Sequence, residues 1–145
     1  MGAEIPPASI LYPVFAMFAL VFAVLMRMRS LRFAAVRLGE VDAEFYRSFS
    51  GGAEPEPLRV IGRHFSNLFE LPVLFYVGVL MAYVTQQVSL WLVACAWVHV
   101  ALRYAHSFVH LTSNRVMTRF AVYFASGLVL LVLWASLLVQ LLRAG

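Results

Sequence analysis

The sequence predicts an all-α integral membrane protein built as a four-helix up-down bundle. Of its 145 residues, 63% are hydrophobic and only 12% are charged, whereas a soluble domain carries about 25% charged residues. The mean hydropathy is +0.85. Three long runs, residues 5–26, 71–102 and 120–142, contain no charged side chain, and a helix that crosses a bilayer needs about 20 apolar residues. Composition and run length both argue against a soluble domain.

Four spans follow from these runs. The first and last runs are each long enough for one helix. The middle region extends from residue 64 to residue 110 when Glu70 and Arg103 are allowed inside helices, which is room for two spans. The polar turn Thr85–Gln87 divides that region. The predicted spans are residues 9–28, 64–84, 88–110 and 119–141.

The connections predict a single membrane domain, residues 1–145, with one long loop. This loop covers residues 30–62, and Gly39 and the Gly51–Gly52 pair mark it as irregular or short amphipathic structure. The other connections are only a few residues long. Neighbouring helices are therefore expected to run antiparallel.

The basic residues predict the orientation of the chain. All eleven are arginines, and the formal net charge is +4. Nine of them lie within or at the borders of the two connections that precede spans two and four, namely Arg27, Arg29, Arg32, Arg37, Arg47, Arg59, Arg63, Arg115 and Arg119. By the positive-inside rule both connections face the cytoplasm, and both termini lie outside it. We expect a protein whose partner is the lipid bilayer and not nucleic acid.

Three spans carry polar side chains three or four residues apart, a spacing that places them on one helix face. They are Arg63, Asn67 and Glu70 in span two, His99, Arg103, His106 and His110 in span three, and Arg119, Tyr123 and Ser126 in span four. An ionisable group within a membrane costs about 2.5–3.5 kcal/mol at the helix centre, so such groups usually face a partner or a wet cavity. The three polar faces are expected to meet at the cytoplasmic end of the bundle.

Two local features of this polar end lead to further expectations. Glu70 and Arg103 stand at similar depth on neighbouring helices, so we predict a structural ion pair between them. Loss of one partner of a buried pair costs about 3–5 kcal/mol. Pro72 can free a backbone carbonyl and open the helix near Glu70, although an ordinary tolerated kink is the simpler interpretation.

The polar residues suit a small zwitterionic peptide. Arginines grip carboxylates in a bidentate manner, a carboxylate suits an ammonium group, and asparagine suits an amide. His106 and His110, four residues apart, could instead ligate a metal ion. They have no nearby Asp or Cys and an arginine one turn away, so we predict no metal site. The single cysteine, Cys95, is interpreted as a small buried hydrophobic residue.

The span-two sequence RHFSNLFELP, which runs from Arg63 through Asn67 and Glu70 to Pro72, resembles the MAPEG family, the membrane-associated proteins in eicosanoid and glutathione metabolism. The segment RYAHSFVH and the later Arg119 and Tyr123 strengthen the likeness, which covers all four spans. The resemblance implies a homotrimer of four-helix subunits that bind glutathione between neighbours at the cytoplasmic side. It also implies glutathione transferase, peroxidase or isomerase activity on lipophilic substrates. The likeness is to a bacterial-type member of the family, which implies a place in the bacterial inner membrane.

The resemblance further implies roles for particular residues. Arg119 would stabilise the glutathione thiolate, with His110 as a second catalytic residue. Arg103 would mainly hold Glu70 in place. The remaining cofactor-binding positions implied for glutathione are Arg29, Arg63, Asn67, Glu70, His106 and Tyr123. Small residues along span three, which allow close helix approach, agree with a trimer; they are Ala94, Ala101, Ala105 and Ser107.

Three positions depart from the family pattern. Ser66 stands where catalytic members often carry an arginine, His110 where they often carry a tyrosine, and Phe120 where some have a small polar residue. These changes weaken the expected grip on glutathione and the expected activation of its thiol.

The leading hypothesis is a glutathione-dependent membrane transferase or peroxidase acting on a lipophilic electrophile. The alternative is a non-catalytic MAPEG-fold membrane protein that binds a lipid or serves as a subunit of a larger membrane complex. A metal or proton site at the span-three histidines is a distant third.

Overall fold

The computed structural model describes residues 5–49 and 54–144, and its regular secondary structure over those ranges is helical. A short 3-10 helix, Pro7–Leu11, leads into α1, and the helices are α1 Tyr12–Arg37, α2 Phe45–Ser48, α3 Glu56–Asn67, α4 Leu71–Val84, α5 Leu90–Leu111 and α6 Val116–Ala144. Within the described ranges, four units are long and apolar enough to cross a membrane: Pro7–Arg37, Glu56–Val84, Leu90–Leu111 and Val116–Ala144. The predicted all-helical membrane class is confirmed.

Helix α1 continues nine residues beyond residue 28, where the first span was predicted to end, and reaches Arg37. Its end is a Schellman turn, in which the amide of Glu40 donates to the carbonyl of Ala35 at 2.9 Å and the amide of Gly39 donates to that of Val36 at 3.0 Å. Gly39 has φ of +74°, a left-handed conformation that glycine adopts without steric cost. The arginines after residue 28 therefore lie on helix, not loop.

The second membrane unit is broken between α3 and α4, at residues 68–70. Pro72, the second residue of α4, has no amide proton and cannot donate to the carbonyl of Leu68 as a continuous helix requires. The chain tightens instead, with the amide of Phe69 bonded to the carbonyl of Ser66 at 2.9 Å. Glu70 then takes φ −94° and ψ −97°, outside the helical region.

Helices α5 and α6 form the most extensive contact in the bundle and run antiparallel. At one end Trp91 donates to Ser136 at 3.0 Å, and at the other end His106 contacts the carbonyl of Arg119 at 3.2 Å. Helix α5 begins at Ser89, whose hydroxyl accepts from the amide of Leu92 at 3.3 Å as an N-cap. This pair is the frame on which α3 and α4 are placed.

The apolar core runs along the middle of the four membrane units. Side chains that are completely buried there include Ile10, Met17, Phe75, Leu92, Ala96 and Leu133. Helix α4 approaches α6 closely at Gly78, where an added Cβ would lie 3.1 Å from Leu133 and 3.2 Å from the Trp134 ring. The packing of α4 on α6 therefore fixes the position of α4 along the bundle axis. It also fixes the position of Glu70, which directly precedes α4.

A second, smaller cluster joins the long connection to the bundle. It consists of Ala35, Val41 and Leu58, with Tyr46 packed against it. Arg32 bonds to Glu54 at 3.2 Å and lies 5.1 Å from the centre of the Tyr46 ring. Burial raises the pKa of Tyr46, and the negative charge of Glu54 raises it further. The connection is thus packed onto the helical extension of α1.

Candidate functional site

A buried arginine stabilises the broken helix. Arg103 on α5 is completely buried, and its Nη2 donates to the backbone carbonyl of Asn67 at 2.9 Å. In an uninterrupted helix that carbonyl would accept from the amide of residue 71. The guanidinium therefore supplies the hydrogen bond that the break at residues 68–70 removes, and an unmet carbonyl in the membrane costs several kcal/mol. This accounts for an arginine in the interior of span three.

The predicted Glu70–Arg103 ion pair is not formed directly. Among residues 5–49 and 54–144, the ion pairs within 4.0 Å are Arg32–Glu54 and Arg47–Glu44. Glu70 bonds instead to the hydroxyl of Tyr123 at 2.5 Å. The guanidinium of Arg103 lies 5.2 Å from the centre of the Tyr123 ring. The expectation was wrong because it assumed a continuous helix, whereas the break turns Glu70 outward and places Tyr123 between the two charges.

This geometry predicts a small effect for Glu70→Gln. The glutamine amide oxygen can still accept from Tyr123, and the side chain is exposed, so we expect a loss of stability below about 1 kcal/mol. The measurement is the midpoint of thermal unfolding in detergent. Unfolding is detected by the reaction of Cys95, which is buried in the folded protein, with a thiol-specific dye. A loss of about 3–5 kcal/mol would instead indicate a direct buried pair.

Five of the predicted site residues come together around one pocket. It has a volume of about 290 Å³ and is lined by Asn67, Glu70, His106, Val116, Arg119, Phe120 and Tyr123. The helix break contributes one wall, α5 contributes His106, and the first turns of α6 contribute the rest. The pocket carries one carboxylate, one amide and one guanidinium beside two aromatic rings, and it can therefore bind a polar, zwitterionic ligand next to an apolar one.

Hydrogen bonds hold both the guanidinium and the backbone of Arg119 at the pocket. Its Nη1 donates to the side-chain oxygen of Asn114 at 2.6 Å, and its backbone carbonyl accepts from Nδ1 of His106 at 3.2 Å. Asn114 adopts φ of +47° in the turn before α6, a conformation that asparagine tolerates better than most residues. The guanidinium is thus oriented but retains free donors for an anion.

Three of the predicted site residues lie elsewhere. Arg29 lines a different pocket on α1, and its guanidinium lies 5.4 Å from the centre of the Phe33 ring. The side chain of Arg63 is exposed on α3, away from the pocket lining. His110 is buried between helices and lines a third pocket with Asn114. Within one chain these three residues do not line the pocket that contains Asn67, Glu70 and Arg119.

Sequence reasoning gave no role to His64, which the structure brings against His106 and His110. The centre of its ring lies 4.8 Å from that of His110 and 5.7 Å from that of His106. His64 follows Arg63 but lies off the polar stripe that Arg63 shares with Asn67 and Glu70. The available signal was its spacing from Leu58 and Ile61, which places it on the buried face of α3, facing the bundle.

The fold and the pocket define an integral membrane protein of four membrane-crossing helices with a polar site at one end of the bundle. A model of the MAPEG family matches residues 10–139, so the chain belongs to the MAPEG family, as its sequence motifs indicated. It is therefore a membrane protein of the family associated with glutathione and eicosanoid metabolism. No curated protein and no solved structure matches the chain.

Proposed function

We propose that this protein is a glutathione-dependent membrane transferase or peroxidase that acts on a lipophilic electrophile. The observation that carries the proposal is the single pocket in which Asn67, Glu70 and Arg119 meet beside Phe120. Glutathione offers an ammonium group, amides and a thiol to such a pocket, and the neighbouring aromatic and apolar surface suits a hydrophobic second substrate.

Each polar residue has a distinct part in this proposal. Glu70 binds the ammonium group, Asn67 bonds to the peptide backbone, and Arg119 stabilises the thiolate. The thiol gives its proton to water, the thiolate sulfur forms a bond to the electrophilic atom, and the leaving group departs with the electron pair of the bond that breaks. Where the electrophile is a hydroperoxide, the product is a sulfenic acid, and the thiol of a second glutathione displaces water from it to form the disulfide. Tyr123 orients Glu70 through their hydrogen bond, and His106 holds the backbone of Arg119. His110 lies outside the pocket, so Arg119 alone is assigned to thiol activation.

We further propose a homotrimer in which a neighbouring subunit completes the pocket. Glutathione has two carboxylates, and within one chain Arg119 is the arginine that lines the pocket. Arg29 and Arg63, which lie apart from it, are candidates to reach the ligand from a neighbour. Ala94, Ala101 and Ala105 leave a face of small exposed residues on α5 that permits close subunit approach. Ser107 does not join this face, because it is buried and bonds to the carbonyl of Arg103.

The test combines calorimetry with native mass spectrometry in detergent. We expect wild-type protein to bind glutathione and to appear as a trimer. N-acetylated glutathione, which lacks the ammonium group, should bind more weakly, and Glu70→Gln should remove that difference. Absence of glutathione binding by the trimer, or a mass that corresponds only to monomer or dimer, would contradict the proposal.

A second candidate function, binding of an anionic lipid without catalysis, is favoured by the pocket on α1. This pocket has a volume of about 490 Å³ and joins the guanidinium groups of Arg29 and Arg32 to a mainly apolar lining. Such a surface suits a lipid whose head group is negative and whose chain is apolar. Protein that retains a co-purified anionic lipid, loses it in Arg29→Ala and does not bind glutathione would favour this function.

A further inference from the structure

Three histidines from two helices form a cluster in the polar end of the bundle. His64 on α3 and His106 and His110 on α5 are each at most 2% exposed, and one ring nitrogen from each lies within 4.8 Å of the others. Both ring nitrogens of His64, Nε2 of His106 and Nδ1 of His110 are buried without a hydrogen-bond partner. Buried polar atoms in native proteins are nearly always paired, so this group of unpaired nitrogens requires an explanation.

The orientation of His106 indicates what the cluster accepts. Its Nδ1 contacts the carbonyl oxygen of Arg119 at 3.2 Å, and because a carbonyl oxygen can only accept, Nδ1 must carry the proton. In a neutral ring the lone pair is then on Nε2, the buried and unpaired atom. Metal-bound histidines typically donate their other ring nitrogen to a backbone carbonyl in this manner, which fixes the tautomer and the ring orientation.

We propose that His64, His106 and His110 form a binding site for a divalent first-row transition metal ion such as Zn²⁺. This proposal does not rest on the glutathione function, although His106 also lines the pocket assigned to glutathione. Three imidazoles are a known ligand set for zinc, with water or another ligand in the fourth position. Imidazole nitrogens favour zinc, copper, nickel or iron over magnesium and calcium, which prefer oxygen ligands.

The cluster needs only a local adjustment to coordinate an ion. With metal–nitrogen distances of about 2.0–2.1 Å, the nitrogens of a tetrahedral site lie about 3.4 Å apart. The observed limit of 4.8 Å exceeds this by roughly 1.4 Å, a difference that rotation of the imidazole side chains can supply. Since His106 and His110 are one helical turn apart on α5, only the position of His64 depends on tertiary packing.

The surroundings define the charge of the fourth ligand and a route for the ion. Arg103 is close enough to act electrostatically on His64 and His106, and its positive charge opposes a bare dication. An anionic fourth ligand such as hydroxide offsets this repulsion. His110 lines a pocket of about 310 Å³ that also contains Glu56 and Arg27, and we assign the route of the ion to this pocket because it is the one that His110 lines.

The experiment is a Co²⁺ titration of metal-depleted protein purified without a polyhistidine tag, followed by visible absorbance. We expect one Co²⁺ per chain with tetrahedral d–d bands, displaced by one equivalent of Zn²⁺. Loss of an outer-shell partner alone weakens metal binding about 10–100-fold, so His64→Gln, which removes a ligand, should weaken it by at least about 100-fold.

His99→Gln is the matched control. Like His64, His99 is completely buried and has an unpaired Nε2, and like His106 it bonds through Nδ1 to a backbone carbonyl, that of Ser126 at 2.9 Å. It lies outside the cluster. This variant should bind Co²⁺ like the wild type. Equal loss in both variants, or full binding by His64→Gln, would overturn the proposal.

A measurement on the unaltered protein removes any dependence on the folding of variants. X-ray absorption at the zinc edge of the Zn²⁺-loaded wild type should count three imidazole nitrogens at about 2.0–2.1 Å. Failure of the wild type to take up Zn²⁺ or Co²⁺, or a shell of oxygen or sulfur atoms with fewer imidazoles, would exclude the site. In that case the cluster would be a histidine group that binds water or protons only.

Discussion

Arg119→Ala is expected to abolish thiolate formation on bound glutathione and to lower turnover by about 10²–10³-fold. A loss of turnover of this size is usual when one preorganised hydrogen-bond donor to an anion is removed from an active site. A thiol of ordinary pKa, about 8.5, is only a few per cent ionised at pH 7. Arg119 stands at the pocket with its guanidinium oriented by Asn114, and it is partly shielded from water. A fixed positive charge in that setting favours the thiolate over the thiol.

The readout is the ultraviolet absorbance of the thiolate as glutathione is titrated into the protein. Arg115→Ala is the matched control, because Arg115 precedes α6 by one residue, is exposed and does not line the pocket. It should leave both the thiolate signal and the proposed trimer unchanged. Wild-type protein that binds glutathione without any thiolate at neutral pH would remove the mechanism from the enzyme proposal, and lipid binding would become the better explanation.

Phe75→Ala is expected to destabilise the bundle by about 3–5 kcal/mol, the range found when a buried phenylalanine is truncated in a packed core. Phe75 on α4 is completely buried, and its ring stacks on that of His99 with 5.0 Å between centres. His99 in turn bonds to the carbonyl of Ser126. The ring therefore connects α4 to α5 and, through His99, to α6. A lipid environment does not reduce the cost of the cavity, because helix association in membranes depends on van der Waals packing.

The measurement is the midpoint of thermal unfolding in detergent. A decrease on the order of 10 °C is expected for a chain of this size. Cys95, the single cysteine, is buried on α5, so its reaction with a thiol-specific dye reports the opening of the bundle. Phe22→Ala is the control, since Phe22 on α1 is 50% exposed and its truncation should cost below about 1 kcal/mol. Equal decreases in the two variants would show that α4 is not anchored through Phe75.

Hydropathy and charge were sufficient to predict the fold class. Four long uncharged or nearly uncharged stretches require four membrane helices, because no other open structure satisfies its backbone in lipid. The extent of the helices was not predictable in the same way. Helix α1 reaches Arg37 because the residues after Arg27 pack on α3 and on the small cluster around Val41, and such tertiary contacts leave no trace in a hydropathy profile.

The site was predicted in part, for a physical reason. Helical spacing places Asn67, Glu70, Arg119 and Tyr123 on faces that can meet, and one pocket does contain them. The predicted Glu70–Arg103 pair failed because residues three or four apart share a helix face only while the helix continues, and this helix is broken at residues 68–70. Glu70 consequently bonds to Tyr123, and Arg103 bonds to the backbone.

The break in the second membrane unit also sets the route by which the lipophilic electrophile of the proposed function would reach the pocket. Helix α4 has 14 residues and so covers about 21 Å of a hydrocarbon layer about 30 Å thick. If α4 ends at the far boundary, Glu70 lies about 9 Å beneath the near one, among the upper segments of the acyl chains. An electrophile dissolved in lipid then arrives by lateral diffusion without crossing water. The quantity that sets its occupancy of the pocket is its mole fraction in the bilayer, not its aqueous concentration.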